Sequence, residues 1–142
     1  WPTLRPVIET LWAHGYQVLF YAEGNWDAHL DTFTELPEGS IIFHIDRSDY
    51  RKAHKALHHK FSLSGGIPNT VLSLGTQQEV RDWCKRVIDE IGADGGYIMD
   101  ANAIVQNDAT VENVRALTHC HHHRHGCATK RRLRIGPESF PQ

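Results

Sequence analysis

Short apolar runs alternate along this chain with longer segments of helical periodicity, and this alternation restricts its fold more than any other feature. The apolar runs are residues 17–21 (QVLFY), 41–45 (IIFHI), 61–64 (FSLS) and 97–99 (YIM). Their nearly continuous apolar character is typical of buried strands. Strands that alternate with helices are parallel and joined by right-handed crossovers. The sequence therefore predicts an α/β fold of about four parallel βα units.

The helical segments carry recognisable boundary signals. The helix predicted over residues 3–14 ends at Gly15, and the helix predicted over residues 26–36 ends at a Pro-Glu-Gly turn. Ser48 is a candidate N-cap for residues 49–57. Thr76 and Glu79 have the spacing of a capping box for a helix to residue 91. We expect a loop between Gly66 and Thr76 and a last helix over residues 110–117.

Four parallel strands fit two architectures. One is a small doubly wound sheet, and the other is half of an eight-stranded barrel, which typically needs about 250 residues. The periodicity of 142 residues does not distinguish the two.

Charge and composition exclude several classes of protein. Residues 118–142 hold five Lys and Arg against Glu138, a net +4, so residues 1–117 carry −6 of the overall −2. This acidic part argues against a nucleic-acid surface, which needs clustered positive charge. Three cysteines do not make a disulfide framework, and no apolar run reaches the length of a membrane-spanning helix. We expect a cytoplasmic protein without a membrane partner.

Several motifs resemble the uroporphyrinogen decarboxylase (URO-D) superfamily. Residues 65–70 (GGIPNT) with 74–80 (LGTQQEV) and Cys84 resemble its seventh-strand region. Residues 95–98 (GGYI) and 110–117 (TVENVRAL) resemble its eighth strand and final helix. Residues 1–4 (WPTL) and 23–26 (EGNW) resemble the fifth-strand region of its corrinoid-dependent methyltransferases.

The resemblance implies that residues 1–117 are the C-terminal half of a TIM (β/α)8 barrel, followed by an irregular tail. It implies an enzyme that moves a methyl group from a small methylated substrate to a corrinoid carried on a partner protein. Uroporphyrinogen decarboxylase is the alternative enzyme, although residues 100–104 (DANAI) depart from the N-x-G-H-G of true decarboxylases. A half barrel has two unpaired sheet edges, which favour self-association.

Active sites of such barrels lie at the C-terminal ends of the strands. The candidates there are Glu23, Asp46, the turn at residues 64–66 and residues 100–102. Glu23 is the first choice as a catalytic acid or ligand. Asp46 either orients the substrate or caps the next helix. His44 alternates within an apolar strand, which favours a buried histidine satisfied by hydrogen bonds over a ligand.

The resemblance also raises a zinc site. Zinc-containing members end the fifth strand in H-x-C, where this chain reads Tyr21-Ala22-Glu23, so a thiolate-rich site is not expected. O-demethylating members have ligands spaced E-x14-E-x20-H, and Glu23, Glu38 and His59 fit that spacing. However, Glu38 and His59 precede strands while Glu23 follows one. A five-residue strand separates those ends by roughly 16 Å, whereas ligands lie about 2 Å from zinc.

The tail differs in character from the rest of the chain. Residues 118–142 are basic and hold His119, Cys120, His121, His122, His123, His125 and Cys127 as potential soft-metal ligands. Their spacing matches no closed zinc pattern, and we expect a disordered appendage. A non-catalytic half barrel or a His-rich metal-binding protein is therefore the alternative to an enzyme.

Overall fold

A computed structural model describes residues 1–122 of the chain, and its elements follow the predicted alternation. The strands are β1 (Val18–Ala22), β2 (Ile41–Ile45), β3 (Ser62–Ile67) and β4 (Tyr97–Ala101). The helices are α1 (Leu4–Ala13), α2 (Leu30–Phe33), α3 (Tyr50–Leu57), α4 (Asn69–Leu74), α5 (Gln77–Val87) and α6 (Val111–His122). A 3₁₀ turn, Asp27–His29, leads into α2, and a π-helical turn, Ile88–Gly92, extends α5.

The sheet has the order β1-β2-β3-β4, and every neighbouring pair is parallel. A doubly wound sheet would reverse its strand order at a switch point, and this sheet does not. Consecutive parallel strands in sequential order are the repeating unit of a (β/α)8 barrel. The predicted α/β class with four parallel βα units is confirmed, as part of a barrel.

The helices within residues 1–122 cover only one face of this sheet. Phe43, Ile45 and Leu63 on that face are buried, and they pack with helical residues such as Phe33 and Val80 in one core. The alternate strand residues point to the opposite face, where Leu19 and Ile98 are 59% and 50% exposed. We call this second face the inner face, because it corresponds to the interior of a barrel.

Several local details differ from the sequence prediction. Residues 64–66, expected to form a turn, lie within β3, and the helix expected over residues 26–36 is a 3₁₀ turn followed by the short α2. Asp49, not Ser48, caps α3, and its carboxylate accepts the backbone N–H groups of Arg51 and Lys52. The segment after Gly66, expected to be a loop, contains α4. The last helix runs to His122, past its expected end at residue 117. The rest of the His-rich tail, from residue 123, lies outside the described residues.

The capping box of α5 forms as its sequence predicted. The Thr76 hydroxyl accepts the Glu79 N–H at 3.2 Å, and the Glu79 carboxylate accepts the Thr76 N–H at 2.7 Å. The Thr76 N–H and the Thr76 hydroxyl both donate to the Glu79 carboxylate, and these two bonds lower the pKa of Glu79. No helix within residues 1–122 has the length and apolar character needed to cross a membrane.

Gly65 allows β2 and β3 to approach each other closely. Its φ is +89°, and a Cβ at this position would collide with the backbone oxygen of Ile45 on the neighbouring strand. The backbone oxygen of Gly65 accepts the Tyr97 hydroxyl at 2.5 Å. A glycine is therefore needed at position 65 for two reasons: the positive φ angle, and the absence of a Cβ that would collide with β2.

Asn113, in the TVENVRAL motif, joins α6 to the end of α4. It is 2% exposed, and its amide donates to the backbone oxygens of Leu72 at 3.1 Å and Gly75 at 2.7 Å. These oxygens lie where a helix end leaves carbonyls without intrahelical partners. The motif therefore has a structural role in this part of the chain.

We predict that Gly65→Ala lowers the free energy of unfolding by about 3 kcal/mol, through backbone strain and the collision with Ile45. Gly95→Ala is the control, because Gly95 also has a positive φ, +80°, but an added methyl group would meet no atom within 4 Å. The Gly95→Ala substitution should lower the free energy of unfolding by only about 1 kcal/mol. Urea denaturation measures both, and equal losses would contradict the close approach.

We predict that Asn113→Ala lowers the free energy of unfolding by about 2 kcal/mol, because two hydrogen bonds of a buried amide are lost and the Gly75 carbonyl loses its donor, while the Leu72 carbonyl keeps the Thr110 N–H. Asn107→Ala, at an exposed position, should change it by less than about 0.5 kcal/mol. The same denaturation experiment compares the two variants, and an Asn113 variant as stable as the Asn107 variant would refute the assigned role.

Candidate active site

The carboxyl ends of the four strands lie along one edge of the sheet, because the strands are parallel. We call the inner-face side chains at this edge, together with the loops that follow the strands, the rim. Its polar residues on the inner side are Tyr21, Glu23, His44, Asp46, Ser64, Asp100 and Asn102. The topology thus brings together the candidates predicted at the strand ends, namely Glu23, Asp46 and residues of the segments 64–66 and 100–102.

The loops after β1 and β2 are joined residue by residue. Each bond connects positions about one βα unit apart, which holds the two loops in a single register. In chain order, the Gly24 N–H donates to Asp46 Oδ2 (2.7 Å), the Arg47 N–H to the Gly24 oxygen (3.1 Å), the Trp26 N–H to Ser48 Oγ (2.8 Å) and the Asp49 N–H to Asp27 Oδ1 (3.0 Å). The rim at this point is preorganised.

Asp46 is one of the joining residues. Its side chain is only 12% exposed, and one oxygen accepts the Gly24 N–H. It does not cap α3, since Asp49 does so. Asp46 therefore positions the loop that carries Glu23, and a direct role in chemistry stays a prediction.

Glu23 stands at the end of β1 with an exposed side chain. Its backbone is fixed on both sides, since its N–H donates to the Tyr21 oxygen at 2.8 Å and its own oxygen accepts the Trp26 indole N–H at 3.0 Å. A carboxylate that is exposed at a rigid position can meet a ligand without first reorganising the loop.

His44 is the buried centre of the rim. It is 1% exposed, its Nδ1 lies 2.7 Å from Ser64 Oγ, and its Nε2 lies 3.0 Å from the Asn102 backbone oxygen. A carbonyl oxygen only accepts, so Nε2 carries the proton. In the neutral ring Nδ1 is then an acceptor, and the Ser64 hydroxyl donates to it. The expected buried and satisfied histidine is present, with one tautomer selected by its partners.

Tyr21 stacks on His44, with ring centroids 4.0 Å apart and planes 14° from parallel. The tyrosine ring covers the buried histidine and is itself 40% exposed, so it lies between the histidine and the solvent. Burial first, and then the carboxylates of Asp100, Asp46 and Glu23, raise the pKa of Tyr21. All three carboxylates therefore act on the same phenol, which remains protonated at neutral pH.

Asn102 and Asp100 close the rim on the β4 side. The Asn102 carboxamide oxygen accepts the Gly66 N–H at 2.6 Å, and its backbone N–H donates to the Ile67 oxygen at 2.8 Å. Asp100 is 58% exposed, with Oδ2 3.9 Å from His44 Nδ1. Residues 100–102 were expected at the rim from the topology, whereas Ser64 was expected in a turn and Tyr21 was not predicted as a site residue. Tyr21 and Ser64 each lie two positions from another inward-facing residue of the same strand, and this alternation is the sequence signal that could have identified them.

Glu38 and His59 lie at the opposite edge of the sheet. Glu38 is exposed in the turn before β2, and His59 is exposed between α3 and β3. The structure does not bring them together with Glu23, which follows β1. Within the described part of the chain, no group of three or more His, Cys, Asp or Glu side chains is arranged to hold a metal ion.

A comparison with known protein families identifies the family to which this fold belongs. The family model described as uroporphyrinogen decarboxylase (URO-D) matches residues 1–124, which include all four strands and all six helices described above. Searches of curated proteins and of solved structures found no significant match. The chain belongs to the uroporphyrinogen decarboxylase (URO-D) family.

Proposed function

We propose that this chain forms part of a URO-D-family methyltransferase, which moves a methyl group from a small methylated substrate to a corrinoid protein. The acidic character of the rim is the observation that carries the proposal. Glu23, Asp46 and Asp100 all act on Tyr21 at this rim. The proposal also agrees with the membership of a family of enzymes.

The charge of the rim supports one of the two enzymatic candidates over the other. A porphyrinogen carries several carboxylates and needs cations to hold them. The cations near the rim are already paired, since Arg47 Nε lies 3.8 Å from Asp46 and Lys52 Nζ lies 2.9 Å from Asp27. This surface repels a polyanion but accepts a neutral or cationic methyl donor, which favours methyl transfer over decarboxylation.

The residues of the rim have separable roles in this reaction. When the methyl group leaves the substrate, the heteroatom that carried it must gain a proton or lose a positive charge. The exposed carboxyl group of Glu23 can donate that proton or hold a substrate ammonium group. Asp46 holds the loop of Glu23, while Tyr21, His44 and Ser64 keep the floor below it closed to water. The corrinoid, carried by the partner protein, supplies the reduced cobalt that accepts the methyl group.

Zinc fits this rim poorly. Zinc takes three or four protein ligands within about 2 Å, and residues 1–122 hold no such group. Glu23 alone of the proposed set Glu23, Glu38 and His59 stands at the rim.

We predict that this chain accelerates methyl transfer from methylated amines or ethers to added cob(I)alamin only when the rest of the barrel is supplied with it, because the described residues hold four of the eight strands. The reaction is followed by the absorbance change of the cobalt. Glu23→Gln should lower the rate at least tenfold, because the amide neither donates an acidic proton nor attracts a cation. Glu38→Gln removes the same charge from the opposite edge and should leave the rate unchanged. A flat trace with every donor would favour a non-catalytic role, and decarboxylation of uroporphyrinogen would favour the other enzyme.

We predict that Glu38→Gln and His59→Asn leave the zinc content of the full-length chain unchanged, because neither residue shares a site with Glu23. Zinc is measured by elemental analysis after dialysis. The His-rich tail is common to every variant, so differences report on residues 23, 38 and 59 alone. An equal loss of zinc in the Glu23→Gln, Glu38→Gln and His59→Asn variants would restore the three-ligand site.

A further inference from the structure

Two of the three cysteines lie next to each other between the helices α5 and α6. Cys84, on α5, is fully buried in the core, while Cys120, on α6, is half-buried and packs against that core. Both are free thiols, and the Cys84 thiol is in hydrogen-bonding contact with the Cys120 thiol. The fold thus brings together two sulfur atoms that are far apart along the chain.

The arrangement of the two helices accounts for this contact. α6 begins beside the start of α5, because the Asn113 amide donates to the Gly75 oxygen at 2.7 Å. Cys120 lies about two helical turns beyond Asn113, and Cys84 lies about two turns beyond Thr76, the N-cap of α5. Both cysteines are therefore roughly 10 to 12 Å from this common start. The helices run in the same direction and hold the two cysteines at the same level.

The two thiols differ in their access to solvent. Cys120 is partly exposed and can meet a dissolved reagent, whereas Cys84 cannot. Burial first, and then the charge of Cys120 and the hydrogen bond with it, raise the pKa of Cys84 to about 12. Cys84 is thus a protonated thiol at neutral pH, which is a weak nucleophile. The sulfur of Cys120 is the electrophile that the structure places within its reach.

A disulfide suits this pair better than a metal ion does. Structural zinc takes four protein ligands. In the part of the chain that the structure describes, no third His, Cys, Asp or Glu side chain joins the two thiols in a metal-binding group. Neighbouring cysteines on two packed elements are the arrangement that a disulfide requires.

We propose that Cys84 and Cys120 are a reversible redox site, at which a small disulfide such as oxidised glutathione closes a bond between α5 and α6. The Cys120 thiolate attacks one sulfur of the small disulfide, forms a mixed disulfide and releases one small thiol. Cys84 then loses its proton, attacks the Cys120 sulfur and releases the second small thiol. Two protein thiols are oxidised, and one small disulfide is reduced to two thiols, which take up the two protons.

The redox site is separate from the rim. Cys84 belongs to the core on the helical side of the sheet, whereas the rim side chains lie on the inner face. The proposal therefore does not rest on the proposed methyl transfer, and its test requires no measurement of activity.

The experiment incubates the full-length chain in glutathione buffers with an increasing oxidised fraction. Acid stops the exchange, and mass spectrometry after digestion identifies the linked peptides. We expect the folded chain to lose two hydrogen atoms and to give one peptide pair, joined through Cys84 and Cys120. Excess dithiothreitol should restore both thiols. Cys127→Ser is the matched control, because it removes the third cysteine and should form the same bond to the same extent.

Two further variants, made in the Cys127→Ser chain, separate the two steps. Cys84→Ala should retain glutathione on Cys120, because no second thiol displaces it. Cys120→Ser should take up no glutathione, because the thiol of Cys84 is buried. No bond in the folded chain, a bond formed mainly through Cys127, or capture of glutathione by Cys84 in the Cys120→Ser variant would each overturn the proposal. The first two of these outcomes are read from the unmodified chain, so the test does not depend on the folding of a variant.

Discussion

The in-register parallel sheet, with helices packed against one face only, is the constraint on which the rest of this structure depends. The apolar side chains of alternate strand residues, such as Phe43 and Leu63, form a core with the helices. The residues between them face the other way, and there they include His44 and Ser64. Core and rim therefore come from the same five- and six-residue strands. The packing of one face fixes the position of the functional groups on the other.

Much of this architecture could be predicted from the sequence, because apolar runs and capping signals act locally. The capping box at Thr76 and the limits of β2 at residues 41 and 45 required no knowledge of the tertiary structure. The segment that contains α4 was harder to predict from the sequence. Its residues 69–74 have a weak helical pattern, and this helix ends under the amide of Asn113, about 40 residues further along the chain. No local signal reports such a partner.

The rim could be predicted in outline but not in detail. Parallel strands deliver Glu23, Asp46 and Asp100 to one edge, and topology alone was sufficient to place them there. The role of Asp46 depends on the Gly24 N–H, and the tautomer of His44 depends on an oxygen of Asn102, 58 residues away. Spacing also suggested Glu38 and His59, but spacing along the chain does not say at which end of a strand a residue stands.

The paired loops after β1 and β2 have a consequence for how this part of the fold can change during evolution. Their bonds match position 24 with 46, 26 with 48 and 27 with 49, a constant offset of 22 residues. A single-residue insertion or deletion at the start of either loop, before position 24 or 46, would break the offset of all three pairs at once. Lineages that vary the length of the chain should therefore do so elsewhere, for example in the exposed segment at residues 104–108, while substitutions remain the accessible route for altering residue 23 itself.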